Sequence, residues 1–320
     1  MTGLKIIATG GALPSRVVTN DDLSKIVETS DEWIYPRTGI HSRYFCGEDE
    51  SATDLAIKAA SQALERAGID KNEIGCVVVA TLSAEFACPS TACLVQEALG
   101  LPTDIAALDV NAACTGFIYG TEVARGFLSA NGKKYALVIG VEKLSKILDM
   151  TDRTTCVLFG DGAGAAVYEA DDDTMYYSIQ GACGTKDILV PGVNEADGKS
   201  YVSMNGKNVF KFAVSAIPRV INGLFSKSEM TMDDVDWVVC HQANARIIDH
   251  VVKKFKAPSE KFYKNMDRFG NTSAASVPLA LNELCESGKV KENDSVMMVG
   301  FGGGLTEAGV LLRYAPLKSN

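Results

Sequence analysis

Short apolar runs, punctuated by glycine, asparagine or serine and separated by stretches of helical spacing, recur along the whole chain. Residues 4–9 read as an opening strand. A polar stretch follows from Thr29 to Ile40, in which Trp33 is the odd feature. From Ser51 to Gly68 the apolar positions keep a helical period behind a serine cap and ahead of a closing glycine, which predicts an amphipathic helix. Asp70 to Ile74 reads as a loop, and Val77–Thr81, Ile105–Val110 and Tyr135–Gly140 as buried strands. Straight after the second of these strands, Asn111-Ala-Ala-Cys-Thr-Gly-Phe117 turns into an apolar helix running to about Leu128. Later come a helix over Val209–Leu224, a strand over Trp237–Cys240, and apolar runs at Val296–Phe301 and Ala308–Leu312. Strands that alternate with helices of ten or more residues indicate βαβ units and a mostly parallel sheet.

The second half repeats the plan of the first. Asp70–Thr81 matches Thr231–Cys240 at an offset near 161, and Ala136–Val141 matches Val296–Phe301 at an offset of 160 (Gly300 minus Gly140). Ala163–Val167 matches Ala308–Leu312 at an offset of 145, as if the first half carried about fifteen extra residues between Ser145 and Gly160. Three matches in one order imply a duplicated α/β unit, residues 1–170 and 171–320, with no linker between the copies. Two such halves packed together place strand-to-helix ends around a common cleft, a usual ligand position in α/β folds.

Composition narrows the function. In 320 residues, 47 % apolar content is ample for a core, while a net charge of −9 and a pI near 5.0 argue against a nucleic-acid partner. No basic start leads into a long apolar run, and no apolar stretch approaches the roughly 18 residues of a membrane span, so neither secretion nor a membrane partner is expected. Nine cysteines, an odd number set mostly in apolar runs, suit a reducing cytoplasm. Three histidines make a histidine-rich metal site unexpected, and no metal is assigned.

Candidate chemistry centres on Cys114, at a junction where a strand stops and a helix starts. Unpartnered amides and the helix dipole favour negative charge there, so a lowered thiol pKa is expected, and Ala112, Ala113 and Gly116 leave a substrate room to approach. His241 ends the strand Trp237–Cys240. Asn271 lies in a small-residue loop, Phe269–Ser276, that opens a helix. Gly300-Phe-Gly-Gly-Gly304 reads as a third loop, whose glycines permit close approach of N–H groups to a ligand. Together they offer a sulfur nucleophile, two neutral hydrogen-bonding side chains and an oxyanion hole for a thioester. Papain-like hydrolases share the order Cys-His-Asn, but their local signature is absent around Cys114.

From first strand to last the chain resembles the β-ketoacyl-[acyl-carrier-protein] synthase III family of the thiolase superfamily. The resemblance runs through Thr29–Gly39, Asn111–Phe117, Phe159-Gly-Asp-Gly-Ala-Gly164, His241–Arg246, Gly270–Ser276 and Gly300–Gly304. Elongating synthases of the superfamily carry a second histidine where Asn271 stands, and chalcone-synthase-like enzymes are longer. The resemblance implies an α/β, thiolase-like fold: two duplicated βαβαβαββ half-domains packed as a layered α/β/α/β/α sandwich. It also implies a cytoplasmic homodimer needing no cofactor.

The implied reaction is a decarboxylating condensation of an acyl-CoA primer with malonyl-[acyl carrier protein], which initiates fatty-acid synthesis through acyl-Cys114. His241 and Asn271 would bind the malonyl thioester carbonyl and stabilise the enolate-like charge. The amides of Cys114 and Gly303 would hold the tetrahedral oxyanion, and Phe301 would exclude water. For CoA, Trp33 and Arg153 match a pair that sandwiches the adenine, Thr29 and Arg37 match further nucleotide and phosphate contacts, and Asn244 would contact the pantetheine arm.

The carrier protein is acidic, so its docking patch on this acidic chain must be local. Between His241 and Lys264 stand Arg246, Lys253, Lys254, Lys256, Lys261 and Lys264 against Asp249 and Glu260, and Lys207 and Lys211 are expected to join them. Arg246 and Lys211 match family positions that bind the carrier. Cys88 stands where the family often has a phenylalanine that reaches across the dimer to close the acyl pocket, so acyl groups longer than acetyl are expected to fit. A starter-unit or acyl-transfer synthase of secondary metabolism is the nearest alternative. A Cys-His-Asn hydrolase or a non-catalytic binding protein of the same fold is more distant.

Overall fold

A computed structural model describes residues 2–192 and 201–317. Nine strands form its main sheet: β1 Gly3–Ala12, β2 Ile74–Ala80, β3 Ala106–Val110, β4 Tyr135–Glu142, β5 Gly162–Asp171, β6 Tyr176–Ala182, β7 Trp237–Cys240, β8 Ser295–Gly302 and β9 Thr306–Tyr314. Six helices organise the rest: α1 Asp31–Thr38, α2 Ala52–Ala67, α3 Gly116–Asn131, α4 Gly206–Ser228, α5 Ala245–Phe255 and α6 Ser276–Glu286.

The sheet falls into two sets with one topology. In the first half the order is β1-β5-β4-β2-β3, and in the second β6-β9-β8-β7. Only two residue pairs of β1 and β9, Lys5 with Arg313 and Ile6 with Tyr314, join the sets. Among the described residues β3 has no strand as counterpart; a single bridge between Val238 and Phe262 stands where Val78 pairs with Leu108. The expectation of a mostly parallel sheet needs correcting. β5 runs antiparallel to β1 and β4, and β9 antiparallel to β6 and β8; a three-residue turn joins β8 to β9, whereas nineteen residues separate β4 from β5.

Alternation along the strands builds the layers. Val77 and Val79 point to the outer layer that holds α2, while Cys76 and Val78 face the middle layer. In the second half Val296 and Met298 face the middle and Met297 and Val299 face α4 and α5. Helices α3 and α6 lie between the two sheets, so the section reads α/β/α/β/α as expected. Register also corrects the third repeat match. Gly140 pairs with Gly164, whereas Gly300 pairs with Ala308, so the offset there is 144 (308 minus 164). A one-residue slip exchanges the faces of a strand, and Gly164 meets Pro278 of α6 in the middle while Gly309 meets Val220 of α4 outside.

Local chemistry sets the helix ends. α2 starts in a reciprocal capping box between Ser51 and Asp54 and stops at Gly68 with φ 61°. The stretch read as merely polar contains α1, which has no apolar stripe. It is fixed instead by the Ser30 cap on the Trp33 amide, 3.2 Å, and by Gly39 at φ 80°. At that glycine a Cβ would lie 2.5 Å from the Ala245 Cβ, so the end of α1 is pressed onto the start of α5. By length and composition α4 does reach the size of a membrane span, contrary to expectation. Its apolar residues, among them Val209, Ala213, Ile217 and Leu224, are buried against the second sheet.

Candidate active site

The two halves meet at a cavity of about 820 Å³, open volume at its mouth included. Cys114, His241 and Asn271 all line it, together with Phe301, Gly302 and Gly303. Each of the three comes from a junction of the duplicated unit. Cys114 lies in a single 3₁₀ turn, Ala113–Thr115, between β3 and α3; His241 follows β7; Asn271 precedes the equivalent turn, Ser273–Ala275, which opens α6.

The turn carrying the thiol is forced. Ala113 sits at φ 47°, and the Asn111 side-chain oxygen accepts its amide at 3.2 Å. The glycine segment then closes on it. Gly300 and Gly302 are not loop residues but the end of β8, and the turn to β9 begins after them. A Cβ on Gly302 would lie 2.7 Å from the Cys114 nitrogen, so only glycine allows this approach. The amides of Cys114 and Gly303 point at the thiol sulfur.

The thiol does not have the lowered pKa expected of a helix start. Burial pushes it up to about 12, against smaller opposing contributions from Ser273 and the two amides, and the nearby Glu142 carboxyl adds to the rise. The helix proper begins two residues later, at Gly116, which weakens its pull on the sulfur.

His241 is buried, and burial alone pushes its pKa down to about 3, so the ring is neutral at physiological pH. Its Nδ1 is 2.6 Å from the Ser276 hydroxyl, and its ring packs edge-to-face on Phe301 with centroids 5.2 Å apart. On Asn271 the side-chain oxygen accepts the Ser273 amide at 2.9 Å, which leaves the amide nitrogen as the donor. The Asn271 backbone exchanges hydrogen bonds with Leu158 and Gly160, 2.9 and 3.0 Å, so the Phe159–Gly164 motif positions this asparagine.

At the outer end Trp33 carries two guanidinium groups, Arg37 at 4.8 Å and Arg153 at 5.2 Å from its ring. A base held between two planes needs roughly 7 Å, twice an ordinary contact distance. Arg153, held to the Glu28 carbonyl at 2.9 Å, must therefore swing outward to admit an adenine. The Thr29 hydroxyl oxygen is buried without a hydrogen-bond partner. Asn244 lines the cavity, caps α5 through the Arg246 amide and donates to the Arg37 carbonyl at 2.9 Å.

Of the basic residues, Lys211, Arg246, Lys253, Lys254 and Lys256 are exposed, as is Lys207, and the Arg246 guanidinium covers Phe210 at 5.3 Å. Lys261 and Lys264 do not belong with them. The first is tied to the carbonyls of Met232, Asp233 and Val235, and the second pairs with Asp249. Cys88 is exposed and is not among the residues lining the cavity of its own chain. The sequence reading gave no role to Ser273, Ser276 or Glu142. The repeat held a signal for the serines, since residues 160 after Ala113 and Gly116 are Ser273 and Ser276.

Comparison with known proteins agrees with this geometry. Family models described as 3-oxoacyl-[acyl-carrier-protein] synthase III and its C-terminal part match residues 108–186 and 225–314. The β-ketoacyl-[acyl-carrier-protein] synthase III of Clostridium beijerinckii is 45 % identical over 98 % of this chain and 100 % of its own. The crystal structure of the 3-oxoacyl-[acyl-carrier-protein] synthase III of Aquifex aeolicus superposes with a TM-score of 0.91 at 44 % identity, over 98 % of this chain and 100 % of its own. The priming β-ketosynthase of the R1128 polyketide pathway superposes with a TM-score of 0.92 at 33 % identity, over 98 % and 97 %. The chain, with the thiolase-like fold that its two halves build, belongs to the 3-oxoacyl-[acyl-carrier-protein] synthase III family.

Proposed function

We propose that the chain condenses an acyl-CoA primer with malonyl-[acyl carrier protein], releasing CO₂ and CoA and giving 3-oxoacyl-[acyl carrier protein], the initiating step of fatty-acid synthesis. The observation that carries this reading is the convergence of a buried thiol, two backbone N–H groups, a neutral imidazole and an oriented carboxamide in one cavity. Cys114 attacks the primer thioester, and the amides of Cys114 and Gly303 hold the oxygen that becomes negative. Malonyl on the carrier then enters. With the Ser276 hydroxyl donating to Nδ1, His241 carries its proton on Nε2, and that N–H and the Asn271 amide receive the malonyl carbonyl. A neutral histidine suits this work, because it gives a hydrogen bond to the developing enolate without surrendering a proton. Phe301 shields the ring from water.

Trp33, Arg37, Arg153 and Thr29 form the nucleotide end of the CoA site, and Asn244 lies along the pantetheine arm. Lys211, Arg246, Lys253, Lys254 and Lys256 receive the acidic carrier. The chain works as a homodimer in the cytoplasm, without a cofactor, and Cys88 contributes to its partner's acyl pocket. Residues 1–170 and 171–320 are the two copies of the duplicated unit, a division supported by the shared strand order and by the chain passing from one set to the other between Asp171 and Tyr176.

Radiolabelled acyl-CoAs of different lengths, with and without Cys114→Ala, test the reading. Label should be lost in the variant and should move to 3-oxoacyl-carrier when malonyl-carrier is added. Label that persists in Cys114→Ala refutes the acyl-cysteine. Label that ignores malonyl-carrier favours a starter-unit synthase of secondary metabolism, which the R1128 superposition keeps in view.

A further inference from the structure

Acylation of a thiol needs a place for its proton, and the groups assigned so far do not supply one. Burial keeps Cys114 largely protonated and makes His241 a poor base. Glu142, the last residue of β4, is fully buried on the same side of the site. Its Oε2 accepts from the Ser83 hydroxyl at 2.5 Å, the Leu82 amide at 3.2 Å and the Thr81 hydroxyl at 3.3 Å. Its Oε1 is buried with no hydrogen-bond partner, and so is the Ser273 hydroxyl oxygen.

Ser273 stands beside both the Glu142 carboxyl and the Cys114 thiol, and its hydroxyl has no other hydrogen-bond partner. The other groups facing Glu142 are neutral: Thr81, Leu82 and Ser83 after β2, and the Ala274 amide. The adjacent Lys143 ammonium is turned away, onto the Glu50 carbonyl at 2.6 Å.

We propose that Glu142, acting through the Ser273 hydroxyl, takes up the Cys114 proton while the acyl group loads, a role that rests on the reading of Cys114 as the acylated residue. The Sγ–H bond breaks as its proton joins Ser273 Oγ, and the Ser273 hydroxyl proton passes to Glu142 Oε1. The sulfur electron pair forms the new bond to the acyl carbon. When the tetrahedral species collapses, the bond to the CoA sulfur breaks and the proton returns along the same path to that sulfur, leaving Glu142 a carboxylate. Burial raises Glu142 to about 7, which makes both of its forms accessible near neutrality.

Single-turnover labelling with radiolabelled acetyl-CoA, followed from pH 5.5 to 9, tests this in the full-length protein. Wild-type loading should rise with pH through an apparent pKa near that of Glu142. Glu142→Gln and Ser273→Ala should each lower loading at neutral pH at least tenfold and erase that limb, and Glu142→Asp should keep it. Loading at the wild-type rate, or slowed loading that retains the limb in both Glu142→Gln and Ser273→Ala, overturns the proposal. If Glu142→Gln fails to fold, Ser273→Ala alone decides. Label surviving in Cys114→Ala overturns the acyl-cysteine reading and, with it, this one; label lost there while Glu142→Gln and Ser273→Ala load normally overturns only the proton route.

Discussion

Ala113 and Ser273 are both held at φ 47°, a region that residues with a side chain avoid, and they occupy equivalent turns of the two halves. In each case an asparagine two residues earlier accepts the amide of the strained residue, Asn111 at 3.2 Å and Asn271 at 2.9 Å. One motif thus seats Cys114 in one half and orients the Asn271 carboxamide in the other. Removing the hydrogen bond at Asn111 costs about 1 kcal/mol of support for the strained turn. Asn111→Ala should slow acyl loading about fivefold to tenfold and leave malonyl-carrier decarboxylation near its wild-type rate, as measured in the separate half-reactions. Equal losses in both would contradict the assignment of that turn to loading.

Gly302→Ala places a methyl group 2.7 Å from the Cys114 nitrogen, closer than Cβ atoms come to backbone. Loading should fall at least a hundredfold, with a lower melting temperature, because the amide and the thiol must both shift. A variant that labels at the normal rate would show that the strand end can yield.

Carrier docking concerns charges far from the sulfur. Reversing Arg246 and Lys254 together, both to glutamate, should raise KM for malonyl-carrier about tenfold or more at low salt and spare loading from acyl-CoA. The defect should shrink as salt screens the contact. Loss of both half-reactions, or of neither, would remove these residues from the interface.

The proposed place of Cys88 at the acyl pocket of a partner subunit is tested by Cys88→Phe, which would add bulk there and should shorten the accepted primers. Competition between acetyl-CoA and longer acyl-CoAs measures this, and an unchanged preference would separate Cys88 from the pocket.

Protein stability should also register Glu142. Its pKa rises from 4.5 to about 7 on folding, so the native state holds the proton more tightly. That contribution is present below the unfolded value and is lost as pH rises toward 7, by up to about 3 kcal/mol. The melting temperature of Glu142→Gln relative to wild type should therefore climb between pH 5 and pH 8. A constant difference would mean that the carboxyl does not titrate in this range.

Apolar periodicity made most of the fold legible, since buried strands and amphipathic helices follow directly from it. It did not reveal α1, whose stability comes from Ser30 and Gly39 rather than from an apolar face. Nor could it give strand direction, since the nineteen residues between β4 and β5 and the three between β8 and β9 both lead to antiparallel pairs. At the site, residue types and their order located Cys114, His241 and Asn271. Burial was the missing quantity. Cys114 reads as an activated helix-start thiol until the fold removes its water, and Glu142 reads as an ordinary strand-end charge until the fold encloses it.

Glu142 and Gly302 end the corresponding strands β4 and β8, each beside the turn that opens a middle helix. In one half a carboxyl stands next to the turn; in the other the missing side chain lets the Cys114 backbone press onto the strand end. A single difference in side-chain size thus gave the two copies of one strand end separate tasks, the first bringing a charge beside a turn and the second bringing main chain against main chain.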